Sequence, residues 1–235
     1  MTHQLIENAY NEHRDFLMEH ESKDLIAEYK IPVGNYKLTH SPQEAVEYAL
    51  EIGFPVVAKV MSPDIIHKTE AGVIQLNLNS EKEVKNAYNE IIENAHNYNS
   101  NATIVGVNIQ EMARDGIVEV IIGGLRDVNF GSVLMFGLGG IFVEIFEDVV
   151  YRVCPIDNKE VFRMIQGIKA YPLLNGYRGR EKGDVSQIAE CIVNCCELLT
   201  KNPEIKELDL NPVIVFEKGK GIMVVDARIL LKEED

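Results

Sequence analysis

Four helix starts are written into this sequence plainly enough to constrain how everything between them can be arranged. At each, a capping residue is followed three positions later by Glu or Gln, and then by apolar residues at helical spacing. Ser41 with Glu44 precedes Val46, Ala49 and Leu50, with Pro42 in the first turn and Gly53 as the stop. Ser80 with Glu83 precedes Val84, Ala87, Tyr88, Ile91 and Ala95, and Asp157 with Glu160 precedes Val161, Met164, Ile165 and Ile168. Asp184 with Gln187 opens a helix whose apolar stripe includes Ile188, Cys191, Ile192, Cys195 and Leu199. A further helix is expected within residues 5–29.

Between these helices lie short β-branched runs bounded by Gly, Pro and Asn, at 56–60, 73–78, 103–112, 117–122, 133–136, 149–153, 205–210, 213–216 and 222–225. Strands follow one another without intervening helices from 103 to 153, so a regular βαβα alternation is absent and a doubly wound or (β/α)8 fold is not expected. The expected class is α+β with much antiparallel sheet. A length of 235 residues fits one large domain or two small lobes.

The balance of 23 bases against 37 acids gives a formal charge of −14, and no run of consecutive bases interrupts it. No nucleic-acid or anionic-membrane footprint is therefore expected, and phosphate could be bound only by a few placed cations. The apolar run 133–143 is broken by three glycines and is too short to span a bilayer. Cys154, Cys191, Cys195 and Cys196 read as small buried hydrophobes without zinc-ligand spacing. Reduced thiols fit a cytoplasmic protein.

Lys59, inside the apolar strand FPVVAKV, must present its ammonium to an anion or to water, because burying it unpaired is costly; an edge strand facing outward would also satisfy it. The following loop, SPDIIHKTEAGV, carries His67. An imidazole can accept a phosphoryl group and return it, although a lone loop histidine is more often a solvated surface residue. Gln110, Glu111 and Met112 close the next strand. Glu119 alternates with Val118 and Val120 and so faces solvent or a cleft. FGLGGIF, residues 136–142, could offer backbone amides to phosphate or could be only a turn. In ELDLNPVIV, strand periodicity puts Glu207, Asp209 and Asn211 on one face, and Asp226 ends a later strand. These hard oxygen donors suit Mg2+, which takes few protein ligands alongside water and phosphate; a solvated strand face is the alternative.

In this order, EYKIPVGNYKL, GFPVVAKVMSPDIIHKTEAGV, the block from QEM through VEVIIGGLRDVNFGSVLMFGLGGIFVE, LLNGYRGR and ELDLNPVIV resemble the ATP-grasp β subunits of ADP-forming acyl-CoA synthetases. The resemblance implies an ATP-grasp fold. A small lid lobe of residues 24–112 would close over nucleotide bound to a large lobe of residues 1–23 and 113–235. It implies that Lys59 reaches the ATP or ADP phosphates, that Gln110, Glu111 and Met112 lie beside adenine, and that Glu119 faces the nucleotide. Asn211 and Asp226 match Mg2+ ligands of the related succinyl-CoA synthetases, with Asp209 as a third candidate. His67 matches a phosphorylatable histidine, and Arg178 or Arg180 could supply further cations. The implied partner is a CoA-binding α subunit, in an α2β2 assembly. A self-sufficient carboxylate ligase and a nucleotide-binding regulatory subunit also fit the residues read singly.

Overall fold

The computed structural model describes residues 3–65, 68–140 and 147–233. The helical stretch expected within 5–29 is divided in two, with the break at residues 12–18. α1 (Gln4–Asn11) ends, His13 takes a left-handed φ of 57°, and the two-residue strand β1 (Phe16–Leu17) precedes α2 (Glu19–Glu28). Arg14 holds the break. Its buried guanidinium donates to both carboxylate oxygens of Glu21 at 2.8 Å and to the Phe16 carbonyl at 3.0 Å.

The chain divides into two units, Met1–Val33 with Ala113–Asp235, and Gly34–Met112. The lower boundary therefore falls ten residues beyond the one expected after residue 23. The reason is packing: α2 runs through residue 24 and buries Leu25 and Ile26 in the larger core, Ile31 joins them, and Val33 forms a bridge with Val224.

The smaller unit holds β2 (Tyr36–Thr39), α3 (Pro42–Ile52), β3 (Val56–Met61), β4 (Ile74–Leu78), α4 (Glu81–Tyr98) and β5 (Gly106–Glu111). Its antiparallel sheet has the order β2–β5–β3–β4. The two helices start as their capping signals require. Ser41 Oγ accepts from the Glu44 N–H at 3.2 Å and Ser80 Oγ from the Glu83 N–H at 3.3 Å. Ala45, Ala49, Val84 and Ile91 of these helices share a core with Ala58, Val60, Val107 and Ile109 of the sheet. Strand alternation then sends Lys59, Asn108 and Gln110 to the opposite face.

The larger unit adds β6 (Val118–Asp127), β7 (Gly131–Leu138), β8 (Val149–Val153), α5 (Asn158–Gln166), α6 (Tyr171–Leu174) and a 3-10 turn (Tyr177–Gly179). It continues with α7 (Val185–Lys201), β9 (Ile205–Val215), β10 (Ile222–Val224) and β11 (Ala227–Leu231). All ladders are antiparallel, in the order β1–β11–β9–β6–β7–β8 with β10 against β9. Ile188, Ile192 and Leu199 of α7 share a core with Val120, Ile122, Leu134 and Phe136. The cysteines depart from the all-reduced set expected. Cys154, which packs against this core, and Cys196 on α7 are joined as a disulfide with Cα atoms 5.9 Å apart, while Cys191 and Cys195 are buried free thiols. Among the described residues, no helix is long and apolar enough to cross a membrane.

Candidate functional site

In the larger unit the acidic motif is shaped by a bulge. The runs read as separate strands at 205–210 and 213–216 form one strand, β9, whose pairing with β6 steps from Leu210↔Ile122 to Val213↔Val120. Asn211 and Pro212 thus oppose Ile121 alone, a place where a proline's missing N–H costs no ladder bond. On the other side of β9, the Asn211 N–H donates to the Asp226 carbonyl at 3.3 Å, and the Val225 N–H donates to the Pro212 carbonyl at 3.0 Å. The bulge therefore sets Asn211 and Asp226 side by side.

Asp209 is two residues along the same strand, between Gly123 of β6 and Arg228 of β11. Its Oδ1 is buried without a hydrogen-bond partner. Burial first, then the charges of Glu207 and Asp226, push the Asp209 carboxyl up to about 6, with Arg228 opposing. Arg228 alone does not offset that desolvation. Among the described residues, no three His, Cys, Asp or Glu side chains form a ready metal cage. Two carboxylates and an amide suit an ion that keeps water and phosphate oxygens in its shell, so the donor set fits Mg2+.

Glu119 lies on β6 opposite Ile214, exposed, with its carbonyl accepting the Gly139 N–H at 2.8 Å. That bond accounts for the glycines of residues 136–142 differently from a phosphate nest. A Cβ at Gly139 would come within 2.8 Å of the Val120 backbone, and one at Gly140, where φ is +63°, within 2.9 Å of Glu119 Oε2. Close backbone packing beside Glu119 is what these two glycines permit. Residues 141 and 142 of that motif lie outside the described residues, as does His67. Arg178 and Arg180 are exposed at the 3-10 turn, Arg178 with φ 55° and its guanidinium 5.3 Å from the Tyr177 ring centre.

In the smaller unit, Lys59 is 4% exposed and sits on a central strand, paired with Asn108 of β5 and Ile74 of β4. The edge-strand reading fails because β4 and β5 flank β3. Gln110, also buried, lies two residues along β5 on the same face as Lys59. Glu111 is occupied structurally: its Oε2 accepts from the Asn35 N–H at 3.2 Å and from Asn35 Nδ2 at 2.9 Å, and its own N–H donates to the Asn35 carbonyl at 2.8 Å. Met112 is half-buried just past the strand end. Lys59, Gln110, Glu111 and Met112 thus belong to the smaller unit, and Glu119, Asp209, Asn211 and Asp226 to the larger. Asn108, passed over in reading the motifs, stands with Lys59 and Gln110 and was legible from its alternation with Val107 and Ile109.

A family model for the ATP-grasp domain matches residues 8–231. The β subunit of acetate–CoA ligase (ADP-forming) II from Pyrococcus furiosus is 47% identical over 229 residues, covering 97% of each chain. A solved structure of Ca. Korarchaeum cryptofilum dinucleotide-forming acetyl-coenzyme A synthetase 1, in complex with coenzyme A and Ca-AMPCP, matches with a TM-score of 0.93 at 49% identity. That match covers 97% of this chain and 98% of the other. The same enzyme with coenzyme A and Mg-AMPPCP, its phosphohistidine segment pointing towards the nucleotide binding site, matches at 0.86 and 46% identity with the same coverage, 97% and 98%.

Proposed function

This chain belongs to the ATP-grasp family, and on that premise we propose that it is the nucleotide-binding β subunit of an ADP-forming acetate–CoA ligase. The reaction is acetyl-CoA + ADP + phosphate = acetate + ATP + CoA. Phosphate displaces CoA from the acyl group on the partner subunit. The phosphoryl group then passes to a histidine of that subunit with release of acetate, next to His67, and finally to ADP. The His67 imidazole nitrogen attacks phosphorus as the first histidine leaves, and the terminal ADP oxygen later displaces His67.

Phosphoryl transfer of this kind depends on positioning and charge neutralisation more than on covalent chemistry by the protein. Lys59 supplies a buried cation for the phosphate oxygens. Gln110 to Met112 line the adenine, and Glu119 faces the nucleotide. Asp209, Asn211 and Asp226 would hold Mg2+, which when bound neutralises phosphate charge. The observation that carries the reading is Asp209 itself, a carboxylate with one oxygen buried and unpartnered beside two other hard donors.

The partner is a CoA-binding α subunit, in an α2β2 assembly. The uncovered face of the larger sheet supports such a partner. Leu125, Val133 and Val153 lie opposite one another across β6, β7 and β8, next to exposed Tyr151. Val128, 97% exposed, and Phe130 extend this apolar surface at the β6–β7 turn. Contiguous apolar surface of this kind marks an interface.

The test is ATP formation from acetyl-CoA, ADP and phosphate. The chain with its CoA-binding partner is expected to turn over, and His67→Ala in the same complex to lose activity by at least about a thousandfold, as loss of a covalent nucleophile does. Undiminished turnover in that variant refutes the phosphohistidine route. ATP-dependent ligation by the chain alone points instead to a self-sufficient ligase.

A further inference from the structure

β8 is the outer strand of the larger sheet and pairs with β7 alone. The phase of that ladder follows from the next residue. The Cys154 N–H donates to the Ser132 carbonyl at 2.8 Å, so Arg152 and Val150 bond β7, and the backbone groups of Tyr151 and Val153 point away from it. Among the described residues neither the Tyr151 N–H nor the Val153 N–H has an acceptor. Edges of this kind are ordinarily short, bulged or charged, because they offer a template to any passing strand. The other edges of the two sheets follow that rule: β1 and β10 have two and three residues, β4 pairs through a register shift, and β2 carries Lys37. β8 reads Val-Val-Tyr-Arg-Val, pairs without a shift, and leaves Tyr151 and Val153 exposed. Arg152 does not guard it, because its guanidinium folds back onto the Tyr151 carbonyl at 2.8 Å and lies 3.4 Å from Glu160 Oε2. Where β8 ends, Arg152, Val153, Pro155, Ile156, Asp157 and Glu160 surround an open cavity of about 340 Å3.

We propose that an extended segment of the CoA-binding partner docks along β8 as an added strand, with a lysine or arginine side chain seated in this cavity. The proposal rests on the subunit reading above and adds where and how the partner is held. Strand addition supplies acceptors for the Tyr151 and Val153 N–H groups, and apolar side chains at alternate positions of the segment cover the Tyr151 and Val153 side chains. Val153, Pro155 and Ile156 give the stem of the basic side chain an apolar wall. Its head meets Asp157, whose Oδ1 caps α5 through the Glu160 N–H and whose Oδ2 is left for the incoming cation. A second copy of this chain suits the edge poorly. In an antiparallel β8–β8 pairing that sets Val149 opposite Val153, Glu147 of the second copy falls opposite Pro155 and adds an acid beside Asp157 and Glu160. The formal charge of −14 adds to that repulsion and favours a basic segment.

The experiment is residue-resolved amide hydrogen exchange on the full chain, alone and in complex with its CoA-binding partner. Tyr151 and Val153 are expected to exchange freely in the chain alone and at least about a hundredfold more slowly in the complex. Val153→Pro removes one of these N–H groups where the fold does not use it, and a strand cannot pair across it. This variant is expected to bind ADP as wild type does and to lose partner affinity by at least about a hundredfold. Asp157→Asn keeps the helix cap and removes the charge; it is expected to weaken the complex about tenfold, with the loss shrinking as salt is raised. Unchanged exchange at Tyr151 and Val153 in a complex that forms, or undiminished affinity in either variant, overturns the proposal while leaving the subunit reading intact. Slow exchange already present in the concentrated chain alone assigns the edge to a second copy and also overturns it. Failure of the chain to form a complex with any CoA-binding partner overturns the subunit reading, and this proposal with it.

Discussion

Asp209 makes its environment measurable without any ligand. Its carboxyl, raised to about 6 by burial and by Glu207 and Asp226, keeps a proton in the folded chain that it has lost in the unfolded one between about pH 4 and pH 6. Stability therefore falls as pH rises through that window, by an amount on the order of 1–3 kcal/mol, and stays lowered above it. Asp209→Asn is expected to raise the urea midpoint at pH 7.5 and to have little effect near pH 4. An equal effect at both pH values contradicts the account. The residues themselves were largely legible from periodicity, since Glu207, Asp209 and Asn211 alternate with leucines. Their mutual strain was not, because it depends on Asp226 and Arg228 reaching β9 through a ladder. Lys59 shows the same limit: alternation gave its face, while its central position required knowing which strands pair with β3.

Helix starts were read correctly because a cap is satisfied by atoms a few residues away. Asp184 goes further than its motif indicates. Its Oδ1 accepts from the Gln187 N–H and Ser186 Oγ, and its Oδ2 accepts from the Gly219 and Gly221 N–H groups at 2.8 and 3.0 Å. One carboxylate thus fastens α7 to the β9–β10 turn. Burial alone would raise its pKa, but these donors outweigh it and hold the group below the usual carboxylate range. Its stabilisation is present above that range and is lost as pH falls through the lowered value. Asp184→Ala is expected to cost about 2–4 kcal/mol in urea unfolding at pH 7, with the deficit closing at strongly acid pH. A cost below about 0.5 kcal/mol contradicts that role. Strands β1, β2 and β11 escaped the sequence reading for the opposite reason. Phe16 and Leu17 are strand only because Leu230 and Ile229 pair with them, and nothing local in a two-residue run announces a partner so remote.

At the level of the molecule, two cores without shared members occupy one chain, and the smaller is built wholly from the contiguous segment Gly34–Met112. Expressed alone, residues 34–112 are expected to unfold cooperatively in urea with a slope of about 1 kcal/mol/M, because sheet, helices and core are all internal to the segment. A non-cooperative transition contradicts that independence. The pairing of Phe16 and Leu17 with β11 has a further consequence, for the order of events on the ribosome. The smaller core is complete soon after residue 112 emerges, whereas β1 must wait until residue 231 has been made. Residues 16 and 17 are thus made well before the smaller core yet can dock only after it is complete, and Leu25 and Ile26 wait for the same late core.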